Sequence, residues 1–314
     1  MIGEREVEGV ATLTLASEGA DGIEVAFAPG AGMVACSLRH RGEELLGMRH
    51  GLAAYAEQGK TLGIPLLYPW ANRLGERRFP VAGREIDLTV PGLRLSTDAS
   101  GLPIHGLLAG SPGWEVESHE SEGDGGVLVA GFDLEAHPGL LAAFPFPHRL
   151  RYEARLAGGE LTIAVTVLAR GRAVPVSFGF HPYFCLPGVE REAWEVEIPV
   201  SERLLLDRSM LPIGASEPLS IEPGPLADRS FDDAFAAPRG GAPFVLAGGG
   251  HRIEVRLGEG YPFAQVFAPA EDAVIAFEPM TAPTNALVEG GAELPLVAPG
   301  GSFTASFAIA VGGA

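Results

Sequence analysis

Alternation with a period of two is the feature that most constrains this chain. Between residues 148 and 156, Leu150, Tyr152, Ala154 and Leu156 interleave with Arg149, Arg151, Glu153 and Arg155. Ile253, Val255 and Leu257 interleave with Arg252, Glu254 and Arg256. The same period runs through Leu161, Ile163, Val165 and Val167, and through Phe303, Ala305, Phe307, Ile309 and Val311. Successive side chains of an extended chain leave on opposite faces, so these segments read as half-buried strands. Shorter β-rich runs near 11–16, 23–27, 81–90, 126–134, 174–180, 194–200 and 273–278 are punctuated by Gly, Pro, Asp and Ser. No helical stripe, internal repeat or low-complexity linker stands among them. Many short strands without intervening helices predict an all-β sandwich or barrel rather than βαβ units. Hydrophobic residues make up 46% of the 314 positions, enough for a sizeable core. A single domain over 1–314 is expected.

The formal charge of -18 argues against nucleic acid as a partner, because binding phosphates needs clustered cations. It equally disfavours an anionic membrane surface, and no apolar run approaches the roughly 20 residues of a membrane helix. The opening residues carry Glu4, Arg5, Glu6 and Glu8 without an apolar stretch, so no signal peptide and a cytoplasmic location are expected. Lys60 is the only lysine, which leaves a Schiff-base mechanism one candidate. Cys36 and Cys185 are too few for a disulfide scaffold or a zinc cage, and read as buried thiols.

Two familiar motifs are absent. Gly59-Lys60-Thr61 resembles the end of a phosphate-binding loop, but Ala54 stands where that motif needs glycine. No Gly-x-Ser-x-Gly elbow exists.

Four other segments carry chemistry. In Gly63-Ile-Pro-Leu-Leu-Tyr-Pro-Trp-Ala-Asn-Arg-Leu-Gly75, Asn72 and Arg73 follow an apolar run containing Tyr68 and Trp70. An aromatic face such as that of Trp70 can stack on sugar C–H surfaces, and a guanidinium can donate to two hydroxyls at once; the plainer reading is a turn with a solvated arginine. His105 lies in Leu102-Pro-Ile-His-Gly106, where a lone histidine is as readily structural. His181 lies in Val176-Ser-Phe-Gly-Phe-His-Pro-Tyr-Phe184, at a strand end where a titratable ring suits acid–base work or a hydrogen-bonded core. Glu278 lies in Val274-Ile-Ala-Phe-Glu-Pro-Met-Thr-Ala-Pro-Thr-Asn-Ala286 and closes a strand just before Pro279. Burying it raises its pKa and suits a base in a cleft; turned to solvent, it is an ordinary strand-end carboxylate. The segment Phe231-Asp-Asp-Ala-Phe235 is a weaker fifth element. The chain's only two asparagines, Asn72 and Asn285, both fall inside these motifs.

Taken in order, these segments resemble the aldose 1-epimerase (galactose mutarotase-like) family, over about residues 20 to 311. The resemblance implies a single-domain β-supersandwich that binds a hexose in an open cleft and needs no cofactor and no metal. It implies Glu278 as general base and His181 as general acid. It implies sugar contacts from His105, Arg73 and Asp232, with Asp233 standing where well-studied galactose mutarotases carry histidine. Asn72 and Trp70 are counted with the substrate-binding residues.

The residue types suit that chemistry on their own. Opening a cyclic hemiacetal takes a proton from the anomeric hydroxyl and delivers one to the ring oxygen, which a carboxylate and an imidazolium can do together. The expected partner is thus a small-molecule aldohexose. Three alternatives stand beside this reading. A hexose-6-phosphate mutarotase would use Arg77 and Arg78, a silent carbohydrate-binding protein would not need both Glu278 and His181, and a metal enzyme would use His105, His181 and Glu278 as ligands.

Overall fold

In the computed structural model of the chain, residues 1–19 and 21–313 are described. Strand accounts for 48% of the residues and helix for 9%, so the all-β expectation holds. The long alternating segments form the middle of a nine-stranded antiparallel sheet. Its central order is Phe244–Gly248, His251–Leu257, Ser302–Gly312, Glu160–Ala169, His148–Ala157, Gly125–Asp133. The alternation read from the sequence appears here as a strict buried/half-buried pattern along His148–Ala157.

A second large sheet carries the motifs. Its order is Pro212–Pro218, Glu202–Leu206, Phe231–Ala236, Phe263–Ala268, Ile275–Met280, Gly179–Phe180, Leu66–Leu67, with Tyr183–Phe184 also pairing Ile275–Met280. The core lies between the two sheets. Phe180 meets Phe307 at 5.0 Å between ring centroids and Tyr152 at 6.2 Å. A five-stranded N-terminal sheet, Ile2–Val7 through Glu43–Glu44, adds Phe27 against Tyr152 at 6.2 Å.

Three details depart from the sequence reading. The run 81–90 is not one strand but the second half of a hairpin, Arg78–Val81 with Arg84–Asp87, because Ala82 and Gly83 take left-handed conformations. Short helices occur at Leu52–Gln58, Pro138–Ala143 and Ala286–Glu289, each too brief to show a helical stripe. The strand holding Glu278 does not stop before Pro279 but runs on to Met280. One flank of that strand meets only the two-residue strands Gly179–Phe180 and Tyr183–Phe184, so a proline breaks no extended ladder there. Among the described residues no helix is long and apolar enough to cross a membrane.

Candidate active site

Strand register assembles one wall of the site. Asp232 pairs with Phe267, Gln265 with Glu278, and Ala276 with both Phe267 and Tyr183. Directly paired residues and residues two apart share a face, so Asp232, Gln265, Phe267, Glu278 and Tyr183 all stand on one side of three adjacent strands. Phe235, Val266 and Phe277 occupy the other side and belong to the core.

Two loops supply the opposite wall. Asn72 and His105 both have positive φ (55° and 64°), and the His105 amide donates to the Asn72 carbonyl at 2.9 Å. Gly106 follows at φ 72°, where an added Cβ would sit 2.2 Å from the Tyr68 carbonyl oxygen. The glycine of Ile-His-Gly is therefore a packing requirement that seats His105 beside the Asn-Arg turn. Asn285, also left-handed, donates its amide to the Arg73 carbonyl at 3.1 Å and accepts from the Gly75 amide at 2.7 Å. The two asparagines thus fix two sides of the same arginine turn.

Between the walls lies a cleft of about 170 Å³, lined by Arg49, Thr61, Asn72, Arg73, Ile104, His105, His181, Tyr183, Asp232, Phe267 and Glu278. This is below the roughly 300–1,000 Å³ of pockets for drug-sized ligands, in keeping with one small polar molecule. At its floor His181 Nε2 lies 3.2 Å from Glu278 Oε1, and the two residues are only 4% and 2% exposed. His181 stacks on Tyr183 at 4.0 Å and 14°, and meets His105 and Phe267 edge-on, each at 5.5 Å. The Tyr183 hydroxyl is bonded to Thr61 Oγ1 at 2.6 Å. Arg73 donates through Nε to Asp98 at 2.9 Å and through Nη1 to Asn72 Oδ1 at 3.0 Å, and its Nη2 lies 3.6 Å from Asp232. Gln265 Nε2 donates to Asp232 Oδ1 at 2.6 Å.

Burial dominates the electrostatics. It pushes the Glu278 carboxyl well above its ordinary range, Asp232 adding to the shift and Arg73 opposing it. It pushes His181 well below its ordinary value, with His105 and Arg49 acting the same way. Burial and Arg73 hold His105 down at about 3, so that ring is neutral. Both shifts disfavour the charged forms, so burial favours an uncharged carboxyl beside an uncharged imidazole over the ion pair. Carboxyl with imidazole and carboxylate with imidazolium carry the same number of protons, and the facing atoms lie 3.2 Å apart. Glu278 Oε2, His181 Nδ1, His105 Nδ1 and Gln265 Oε1 are buried without a hydrogen-bond partner. Unpartnered buried polar atoms in such number at one place mark where a polar ligand would be received.

Six of the seven residues singled out from the sequence gather here, or border directly on it; Trp70 does not. Trp70 is fully buried in the core, where its backbone bridges Ser177, and it offers no face to the cleft. Leu66, Tyr68 and Trp70 share the core face of their extended segment, and the Tyr68 hydroxyl is spent on His148. The aromatic surfaces lining the cleft belong to Tyr183 and Phe267 instead. Asp232, not Asp233, lines it; Asp233 lies 3.4 Å from Arg203. Arg77 and Arg78 are outside the cleft, bonded to the Gly101 carbonyl and to Asp87. Among the described residues no three His, Cys, Asp or Glu side chains are arranged to hold a metal ion. Arg49, Thr61, Tyr183, Phe267 and Gln265 were missed. Tyr183 stood inside a noted motif, and Gln265 and Phe267 could be found only through strand pairing.

Solved structures share this architecture. A protein from Synechocystis sp. PCC 6803 is 24% identical, with 95% of each chain covered and a TM-score of 0.75. A galactose mutarotase-like protein from Clostridium acetobutylicum is 17% identical, covers 100% of this chain and 99% of its own, and has a TM-score of 0.82. Galactose 1-epimerase from Lactobacillus acidophilus NCFM is 15% identical, with 100% and 98% covered and a TM-score of 0.75. These TM-scores over nearly full-length coverage establish the fold as galactose mutarotase-like. No curated protein matches the chain. The family model described as aldose 1-epimerase matches residues 19–310, nearly the whole length, and the chain therefore belongs to the aldose 1-epimerase family.

Proposed function

We propose that the chain, acting as one domain, interconverts the α and β anomers of a neutral aldohexose without a cofactor. The observation that carries this is the His181–Glu278 pair, buried and 3.2 Å apart at the floor of a small polar cleft. In the working form Glu278 is the carboxylate and His181 the imidazolium, a form that sugar hydroxyls stabilise by bonding the buried polar atoms that have no partner within the protein. Glu278 takes the proton of the anomeric hydroxyl while the O–H electrons form the carbonyl. The bond from C1 to the ring oxygen breaks, and His181 delivers its proton to that oxygen. Rotation about C1–C2 and the reverse proton transfers close the other anomer and restore the pair. Neutral His105, Arg73 with its neighbour Asn72, and Asp232 hold hydroxyls, while Tyr183 and Phe267 supply the apolar surface.

The alternative of a sugar phosphate substrate loses the support it had, since Arg77 and Arg78 lie away from the cleft. Anomer-exchange NMR over free and 6-phosphorylated aldoses tests the reading. Exchange of at least one free aldohexose, lost in Glu278→Gln, is expected. Binding without exchange would make the chain a carbohydrate-binding protein.

A further inference from the structure

Arg49 lines the cleft, and the acid–base chemistry above assigns it nothing. Its guanidinium carbon lies 5.3 Å from the ring centroid of Tyr183 and 5.9 Å from that of Phe267, within range of both aromatic faces. Arg49 Nη2 is held by Asp272 Oδ2 at 3.0 Å. Asp272 sits in the turn joining Phe263–Ala268 to Ile275–Met280, the strands that bear Phe267 and Glu278. The loop carrying Arg49 is tied to the same place from the other direction. The Gly47 amide donates to the Tyr183 carbonyl at 2.9 Å, and an added Cβ on Gly47 would come within 2.6 Å of Val274. The result is a chain of contacts running Asp272, Arg49, Tyr183, His181.

We propose that Arg49 is a positioning residue for the anomer exchange, fixing through Tyr183 the plane of the imidazole that faces Glu278. This rests on the mutarotase reading of the cleft. His181 Nδ1 has no partner and Nε2 has only Glu278 Oε1 at 3.2 Å, so the ring's orientation depends on the surfaces around it. Tyr183 is the one stacked face to face, and Arg49 packs against that tyrosine. The groups facing His181 are Glu278, His105, Tyr183, Phe267 and Arg49, with Arg73 and Asp232 farther along the cleft. Arg49 is also a fixed positive charge near the ring, and opposes a second proton on the pair.

The test is kinetics across pH for Arg49→Leu, Arg49→Lys and Asp272→Asn, with folding checked by circular dichroism. Arg49→Leu is expected to lower kcat about tenfold while KM changes little, because orientation rather than binding is lost. Its acid limb should move toward neutral pH, since His181 then accepts a proton more readily. Arg49→Lys keeps the charge and loses the guanidinium that lies over Tyr183, so kcat falls while the limb stays. Asp272→Asn, outside the cleft, should show a smaller fall in kcat. A raised KM at unchanged kcat in Arg49→Leu would make Arg49 a sugar contact and overturn the proposal, as would wild-type values of both kcat and acid limb. If the wild type exchanges no anomer, the function fails on that result alone. The ring ¹⁵N shifts of His181 then still read Arg49: onset of protonation at higher pH in Arg49→Leu supports its hold on the ring, and an unmoved onset sinks it.

Discussion

Asp232 and Asp233 are consecutive residues of one strand that serve opposite faces of the sheet. Asp232 accepts from Gln265 at 2.6 Å and lines the cleft, whereas Asp233 lies 3.4 Å from Arg203, which also binds Glu217. Asp232→Asn should raise KM about 10–100-fold, the cost of weakening a charged hydrogen-bonding group. Asp233→Asn should stay within about twofold, because Arg203 keeps its other carboxylate and partly exposed ion pairs contribute little. Steady-state kinetics of the two variants decide it, and the reverse ranking would refute the face assignment.

The His181–Glu278 pair should give a pH–rate profile with two limbs. Each limb belongs to the pair: the acid limb marks a second proton arriving, the alkaline limb the loss of the single proton. Burial lowers the first transition below the ordinary histidine value and raises the second above the ordinary carboxylate value. An acid limb at or above the ordinary histidine value, about 6.5, is therefore not expected. Glu278→Gln should lower kcat by about 10²–10⁴-fold with a modest change in KM. Near wild-type exchange in that variant would remove Glu278 from the chemistry.

The same substitution has a stability signature of its own. The folded carboxyl titrates above its unfolded value, so the unfolded chain ionises first as pH rises. Stability is then lost progressively above the unfolded pKa until the folded carboxyl itself ionises. Gln removes that loss. Thermal melts should show Glu278→Gln near wild type at about pH 4 and more stable at neutral and alkaline pH, given the ordinary carboxylate range. An unchanged difference across pH would mean that the carboxyl is not desolvated.

Trp70 should matter for folding and not for sugar. Trp70→Ala should cost about 3–5 kcal/mol, as truncating a large buried aromatic does, measured by denaturant unfolding. Trp70→Phe should fold and keep KM. A sugar-dependent change in KM for Trp70→Phe would restore the stacking role that its burial denies.

What could be read from the sequence followed from local chemistry. The alternation of Leu150, Tyr152, Ala154 and Leu156 specifies a strand wherever it lies, and the motifs of Asn72, Arg73, His105, His181 and Glu278 survive as short recognisable strings. What could not be read depends on facing. An aromatic before Asn-Arg has the same letters whether it turns to a cleft or to the core, so Trp70 was misplaced. Gln265 joins the site only because it pairs with Glu278, and register is a property of two strands rather than of either alone. Arg49 sits in a loop with no pattern, and only the contacts of Asp272 and Tyr183 reveal it.

The Gly75 amide and the Asn285 side chain bond across 210 positions of sequence. Contacts of such long range carry a loop-closure cost in entropy that nearer ones do not, and join segments made far apart in synthesis. A growing chain therefore carries Asn72, Arg73 and His105 for most of its synthesis without the residues that complete their cleft, and a truncation before Glu278 would leave them without the strand they face. On the mutarotase reading, sugar binding should accordingly require both segments, and would serve as a sensor that the Gly75 turn and the Asn285 loop have met.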